Sequence, residues 1–103
     1  MIITRLKYVN KRKEITLNEK TLQQFTGNYK SPNFGNMQIV IESKTLVLQT
    51  NSGKFMLYPE SENIFFSKER DLTFEFVKKE NKMEKIIVRE NGSVAEEVAF
   101  VNK

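Results

Sequence analysis

The sequence predicts an all-β protein, an eight-stranded antiparallel up-and-down (lipocalin-like) meander barrel with one short N-terminal helix. Between residues 36 and 101, seven short runs alternate apolar and polar residues, and an eighth run lies upstream at 28–30. Short segments of turn-forming residues join each run to the next, which is typical of a meander. An open sheet this apolar would expose its edge strands, so closure is expected. A twisted open sheet wrapped around the helix is the alternative.

The composition limits the classes of function that are open to the chain. It has 103 residues, enough for one domain with a modest core, and an apolar content of 39%. It contains no Cys and no His, which excludes disulfides, thiolate chemistry and the commonest general base and metal ligand. No apolar run approaches the length of a transmembrane helix. We therefore expect a globular β domain with no metal, no cofactor and no membrane span.

The positive charge of the chain is concentrated at its N-terminus. The net charge is +4, but five of the 17 basic residues lie in residues 1–13 and all 13 acidic residues lie from Glu14 onward. Residues 14–103 hold 12 basic and 13 acidic residues, a net charge of −1, so no nucleic-acid-binding surface is expected. We interpret residues 1–13 as a basic leader or linker remnant, or as an extra edge strand, and 14–103 as a single β-barrel domain. Basic residues interrupt residues 1–10, which do not resemble a signal-peptide core.

A short helix is predicted before the strands. Thr16 and Glu19 match a capping box, and Asn18 is an equally good N-cap. Leu22 and Phe25 are three residues apart and share the inward face, and a glycine follows at position 27 as a stop signal. A helix of two turns is not stable alone, so it is expected to pack on the sheet or to close one end of it.

The predicted strands follow from strict alternation and from the turns between them. A hairpin turn is predicted at Asn51-Ser52-Gly53, where Gly53 supplies a positive φ, and another at Asn91-Gly92. The last run is apolar on both faces, which favours a place at the closing seam or under the helix. The runs after the first are residues 37–42, 45–49, 54–58, 64–66, 72–77, 85–89 and 94–101.

The interior of a barrel of this size is either filled by side chains or holds one small ligand, and both interpretations stay open here. If the barrel is incompletely filled, an apolar pocket follows. The candidate lining residues are the apolar members of the alternating runs: Ile39, Leu48, Phe55, Leu57, Phe66, Phe74, Phe76 and Val88. Core packing is favoured over base stacking for the aromatic residues, because basic residues are not interleaved in excess.

The motifs of nucleophilic catalysis are absent from the sequence. None of the six Ser residues has Lys three positions later, and Gly-x-Ser-x-Gly does not occur. The glycines are scattered singly, so no phosphate-binding loop is predicted. Asn91-Gly92-Ser93 matches a glycosylation sequon, but the hairpin interpretation explains all three residues. The carboxylate pairs Glu60/Glu62, Glu69/Asp71 and Glu96/Glu97 are interpreted as surface charge. The sequence therefore predicts a protein that is not an enzyme.

Three segments of the chain, in order, resemble a bacterial domain of unknown function. They are LQQFTGNY at 22–29, which has the form L-x-x-F-x-G-x-Y, KFMLYPESEN at 54–63 with the two Phe that follow, and TFEFV at 73–77 with the later Asn91-Gly92 turn. The resemblance covers residues 15–92. Departures occur at Lys44-Thr45-Leu46, where the family is richer in glycine, and at Arg70-Asp71-Leu72.

This family is commonly found C-terminal to serine β-lactamase-like and penicillin-binding-like hydrolase domains. The resemblance therefore implies a non-catalytic accessory or interaction barrel, with a hydrolase domain or another protein as partner, in an exported parent protein. No catalytic residue is transferred, because that chemistry belongs to the hydrolase domain. The alternative is a small lipocalin-like carrier of an apolar ligand.

Overall fold

The computed structural model describes residues 14–68 and 70–103, and these form a closed eight-stranded antiparallel barrel with one short helix. The predicted fold class is confirmed. The predicted basic leader, or extra edge strand, at 1–13 lies outside the described residues. The elements are α1 Glu19–Gln23, β1 Gly27–Ser31, β2 Gly35–Glu42, β3 Thr45–Thr50, β4 Gly53–Pro59, β5 Ile64–Phe66, β6 Leu72–Lys79, β7 Lys82–Glu90 and β8 Ser93–Asn102.

The barrel closes where β1 pairs with β8, so the last strand lies at the seam. Tyr29 pairs with Phe100 there, and their rings meet edge to face with centroids 5.2 Å apart. Gly27, at the start of β1, has φ +147°, and a Cβ on it would lie 2.7 Å from the Phe100 ring and 2.9 Å from the Asn102 carbonyl oxygen. Only glycine fits this close approach of the two strands.

The β2–β3, β6–β7 and β7–β8 hairpins use two-residue turns with both residues at positive φ, which suits the right-handed twist of the strands. The predicted Asn91-Gly92 turn has φ of 53° and 86°, and Gly53 has the predicted positive φ of 142°. The β2–β3 turn, in contrast, places Ser43 and Lys44 at φ of 52° and 65°. Neither residue type favours the left-handed region, so this turn is strained relative to the one at Asn91-Gly92.

Helix α1 plugs one end of the barrel. Its N-cap is Asn18, whose Oδ1 accepts a hydrogen bond of 2.8 Å from the Thr21 N–H, so the Asn18 alternative replaces the capping box from Thr16. Leu22 and Phe25 are both buried in the core cluster, as their predicted inward position requires, but the helix ends at Gln23 and Phe25 lies just beyond it. The helix is a single turn and a half, which is stable here because its apolar face packs against the sheet.

The two ends of the barrel differ, because α1 covers only one of them. At the closed end lie α1 and the turns β2–β3, β4–β5 and β6–β7. At the open end lie the connections β1–β2, β3–β4, β5–β6 and β7–β8, and none of the described residues at this end is helical. The buried core cluster comprises Leu22, Phe25, Tyr29, Met37, Ile39, Leu46, Leu48, Leu57, Phe65, Phe74, Phe76, Ile86, Val88 and Val98.

Candidate functional site: the open end of the barrel

The open end contains a cavity of about 330 Å³, which we call the mouth cavity. Its apolar wall is formed by Met37, Leu48, Leu72, Phe74 and Val88, which project inward from four different strands. The remaining residues around it are Asn33, Phe34, Thr50, Ser52, Phe55, Ser67, Arg70, Glu90, Ala95 and Glu96. The arrangement is therefore an apolar wall beneath a rim of polar groups and two Phe side chains.

The cavity arises because inward side chains become smaller or polar toward the open end. Inward residues recur at every second position of a strand, so each strand can be followed from the core to the mouth. From the core toward the mouth, the inward residues are Tyr29 and then Ser31 in β1, and Ile39, Met37 and Gly35 in β2. They are Leu48 and then Thr50 in β3, and Val98 and then Glu96 in β8. Side chains that would fill the open end are thus absent from these strands.

The closed end is filled by aromatic rings. Phe25, Phe65 and Phe76 form a cluster, the three-ring cluster, with centroids 4.7 to 5.5 Å apart. The Tyr29 hydroxyl donates a hydrogen bond of 2.8 Å to the Phe25 carbonyl oxygen, which ties β1 to the end of the helix segment. Burial raises the pKa of Tyr29 well above its ordinary value, so the hydroxyl keeps its proton and remains a donor.

Ser31 organises the polar side of the mouth cavity. It is 2% exposed, and its Oγ donates to Glu96 Oε1 at 2.5 Å. The same Oγ accepts hydrogen bonds from the N–H groups of Asn33 at 3.1 Å and Phe34 at 3.0 Å. A hydroxyl has one donor and two acceptor sites, so all three are used. Ser31 therefore fixes the β1–β2 turn and the position of the Glu96 carboxylate.

Glu96 is a carboxylate in the wall of the mouth cavity. It pairs with Val88 across β7 and β8, and it lies two residues before the buried Val98, so it belongs to the inward face. Its partners are the Ser31 hydroxyl and, at 3.4 Å, the Asn33 side-chain amide, both of which are neutral. The other cavity carboxylate, Glu90, is paired with Arg70 at 2.6 Å.

The rim of the mouth cavity is partly apolar. Phe34, in the β1–β2 turn, is 55% exposed, and Phe55, at the start of β4, is 39% exposed. Both rings line the cavity and also face solvent. Val94, next to the cavity residue Ala95, is likewise exposed. Exposed apolar groups around a concave site are typical of a surface that binds another molecule.

The eight lining residues proposed from the sequence divide into two groups, apart from Phe66. Leu48, Phe55, Phe74 and Val88 line the mouth cavity. Ile39, Leu57 and Phe76 are packed within the core cluster on the closed side of it.

Phe66 does not belong to either of these two groups, because consecutive residues of a strand face opposite sides. Phe65 is the inward member of the pair and lies in the core cluster. Phe66 is buried on the other face of β5, where its ring lies 6.0 Å from that of Tyr58. The inward position of β5 was therefore assigned to the wrong one of two adjacent Phe residues.

Sequence reasoning missed several residues of the site, above all Glu96. It was grouped with Glu97 as surface charge, but only Glu97 has that role, in an ion pair of 2.8 Å with Lys85. The position of Glu96 two residues before Val98 contained the signal that Glu96 shares the inward face. Met37 and Leu72 were also omitted, although alternation places each in line with a candidate residue.

Among residues 14–68 and 70–103, no group of three or more Asp, Glu, His or Cys side chains is arranged to hold a metal ion. In the same part of the chain, no helix is long and apolar enough to cross a membrane.

The fold and the site define a small antiparallel β-barrel domain with one plugged end and one open end. Over residues 11–101 the chain matches the model of a family described as Domain of unknown function (DUF3471), and it belongs to that family. No curated protein and no solved structure matches it. The resemblance to a domain of unknown function is thus confirmed, while the association with β-lactamase-like hydrolases stays a prediction.

Proposed function

We propose that this domain is a non-catalytic binding module that takes up a small apolar ligand in the mouth cavity. The observation that supports this function is the cavity itself, about 330 Å³ in volume, with the apolar side chains of Met37, Leu48, Leu72, Phe74 and Val88 in its wall. Transfer of an apolar group from water to such a wall is favourable by about 25 cal/mol for each Å² of apolar surface removed from water.

The size of the cavity limits the ligand. Ligand pockets of proteins are roughly 300–1,000 Å³, so this one lies at the small end of the range. A short alkyl chain or a small ring system fits these dimensions, whereas a long acyl chain would extend past the rim.

The geometry around Ser31 supports binding rather than catalysis. A serine nucleophile needs a free lone pair on Oγ to attack a substrate. The contact of Ser31 with Glu96 resembles a nucleophile–base pair, but both lone pairs of this Oγ already accept backbone N–H groups. Ser31 is therefore assigned a structural role.

Binding of N-phenyl-1-naphthylamine, a neutral apolar fluorophore, tests this function directly. We expect its fluorescence to rise in the presence of the protein, because the ring system enters the mouth cavity. In Val88→Phe, the added ring volume occupies the cavity, and binding should fall at least about tenfold. The matched control is Ile87→Phe, the same substitution at the neighbouring outward position, which should bind as the wild type does.

Two results would contradict the proposed function. The first is no fluorescence change with the folded wild-type protein. The second is an equal loss of binding in Val88→Phe and Ile87→Phe, since the cavity would then not be the site. Thermal unfolding of both variants verifies that they are folded.

An accessory role beside a hydrolase domain is the second candidate, and the exposed rings of Phe34 and Phe55 favour it. Two Phe side chains at the rim would be covered by a docked domain. The test is calorimetric titration of this domain with a serine β-lactamase-like hydrolase domain. Binding that is lost in the double variant Phe34→Ser/Phe55→Ser supports docking through the rim. No heat of binding, or binding that the double variant retains, contradicts it.

A further inference from the structure

We propose that the ligand of the mouth cavity is a cationic amphiphile, an apolar body with a protonated amine that binds the Glu96 carboxylate. This inference rests on the proposed function and adds the chemistry of the ligand's polar end. It follows from the position of Glu96, from its partners and from the charges around the cavity.

The position of Glu96 puts a charged group within reach of a bound ligand. The residue lies on the inward face of β8, opposite Val88, and both side chains line the mouth cavity. Ala95 and Asn33 border the same side of the cavity. An amphiphile whose apolar body lies against Val88 and Phe74 therefore has its polar end beside this carboxylate.

The partners of Glu96 hold the carboxylate in place and leave its charge uncompensated. Ser31 and Asn33 both donate to Oε1 and neither carries a charge. In the described part of the chain, no Lys or Arg nitrogen lies within ion-pair distance of Glu96. Oε2 therefore remains an acceptor for a ligand, and a charged donor forms the stronger hydrogen bond with it.

The other charges of the cavity favour a cation over an anion. Arg70 is the only basic residue among the described lining residues, and its guanidinium already pairs with Glu90 at 2.6 Å. The three charged lining residues, Arg70, Glu90 and Glu96, sum to −1. An alkyl carboxylate would place a second negative charge beside the Glu96 carboxylate and be repelled by it. A protonated amine at the same place would be attracted to the Glu96 carboxylate.

The experiment compares three amphiphiles with the same chain and different polar ends: octylammonium, octan-1-ol and octanoate. Each displaces N-phenyl-1-naphthylamine from the full chain at pH 7, below the micelle-forming concentration. We expect octylammonium to bind about tenfold more tightly than octan-1-ol, which is the effect of one charge-assisted hydrogen bond in a half-exposed site. Octanoate should bind more weakly than octan-1-ol.

Glu96→Gln removes the charge and keeps the shape of the side chain and an oxygen for Ser31. In this variant octylammonium should lose its tenfold advantage over octan-1-ol. The matched control is Glu97→Gln, the same change at the adjacent outward residue, which pairs with Lys85. Its preference for octylammonium should equal that of the wild type.

The outcomes separate this inference from the proposed function. If the amphiphiles bind without the expected order, or if Glu96→Gln keeps the preference for octylammonium, the inference is overturned and apolar binding stands. Tightest binding of octanoate also overturns it. If the fluorophore and all three amphiphiles fail to bind, the proposed function itself fails. Thermal unfolding of Glu96→Gln and Glu97→Gln verifies that both variants are folded.

Discussion

The two ends of this barrel are built from the same strands and differ in what their inward residues are. At the closed end the three-ring cluster fills the interior, and Tyr29 hydrogen-bonds to the segment that plugs it. At the open end, Ser31, Thr50 and Glu96 replace large apolar groups, and a cavity of about 330 Å³ remains. The aromatic packing is thus concentrated at one end, and the cavity in which we propose that a ligand binds lies at the other.

The largest difference between the two ends is expected from loss of a Phe ring. Phe76→Ala removes a ring that contacts Phe25, Phe65 and Tyr29, and it should lower the free energy of unfolding by about 3–5 kcal/mol. Phe74→Ala enlarges a cavity that already exists, so the loss should be smaller by about 1–2 kcal/mol. Urea unfolding of both variants measures the difference. Equal losses would contradict the contrast between a packed end and an open one.

Ser31→Ala tests whether the polar side of the mouth is as ordered as the hydrogen bonds indicate. It leaves two N–H groups without their acceptor and removes the shorter of the two hydrogen bonds to Glu96, so we expect a loss of about 1–3 kcal/mol in the free energy of unfolding. The β1–β2 turn should also show faster amide hydrogen exchange at Asn33 and Phe34. Unchanged exchange at these two amides would show that Ser31 does not fix the turn.

The buried hydroxyl of Tyr29, at the closed end, should make the free energy of unfolding depend on pH in the alkaline range. Burial raises the pKa of its hydroxyl in the folded state above the ordinary value of 10.0. The stabilisation is therefore fully present below pH 10 and is lost as the pH rises above that value, because the unfolded state releases the proton first. Stability curves from pH 8 to 11 should decline for the wild type.

The control for this pH dependence is Tyr29→Phe. The variant loses the hydrogen bond to the Phe25 carbonyl, about 1 kcal/mol at neutral pH, but its stability should decline less between pH 10 and 11. The other tyrosine among the described strands, Tyr58, lies on the outer face and provides a second control as Tyr58→Phe. Parallel declines of the wild type and Tyr29→Phe would assign the alkaline loss to other groups.

The smallest expected change in stability comes from substitutions in two turns, the β2–β3 turn at the closed end and the β7–β8 turn at the open end. Both residues of the Ser43-Lys44 turn have positive φ, and so do both residues of the Asn91-Gly92 turn. Only Asn and Gly are residue types that adopt this conformation readily. Lys44→Gly should therefore raise the free energy of unfolding by about 0.5–1 kcal/mol, as seen by urea unfolding. Gly92→Lys should lower it by a similar amount. A destabilised Lys44→Gly would contradict the strain assigned to this turn.

The strands could be predicted because alternation and turn residues are local signals. The strand 72–77 and the turn at Asn91-Gly92 are the clearest examples, and their positions agree with β6 and the β7–β8 turn. β5 is different, since Ile64, Phe65 and Phe66 are all apolar and show no alternation. Its inward residue is set by pairing with Phe74 in the next strand, which is a tertiary contact.

The mouth cavity could be predicted only in part. Alternation indicates which residues face inward, but the volume left between them depends on strand register and closure, which short-range patterns do not encode. The sequence accordingly left open whether the barrel is filled or holds a ligand pocket. The inward position of Glu96 was readable from its place two residues before Val98, whereas its contact with Ser31 joins residues 65 positions apart and requires the closed sheet.

A methyl NMR titration with octan-1-ol tests the central contrast between the two ends most directly. We expect shift changes at the methyl groups of Met37, Leu48, Leu72 and Val88, and none at those of Ile39, Leu46 and Leu57 in the packed interior. Saturable changes confined to the first set would establish the open end as the binding site. Changes at the second set, or the same small drift at every methyl group, would contradict the assignment of packing to one end and binding to the other.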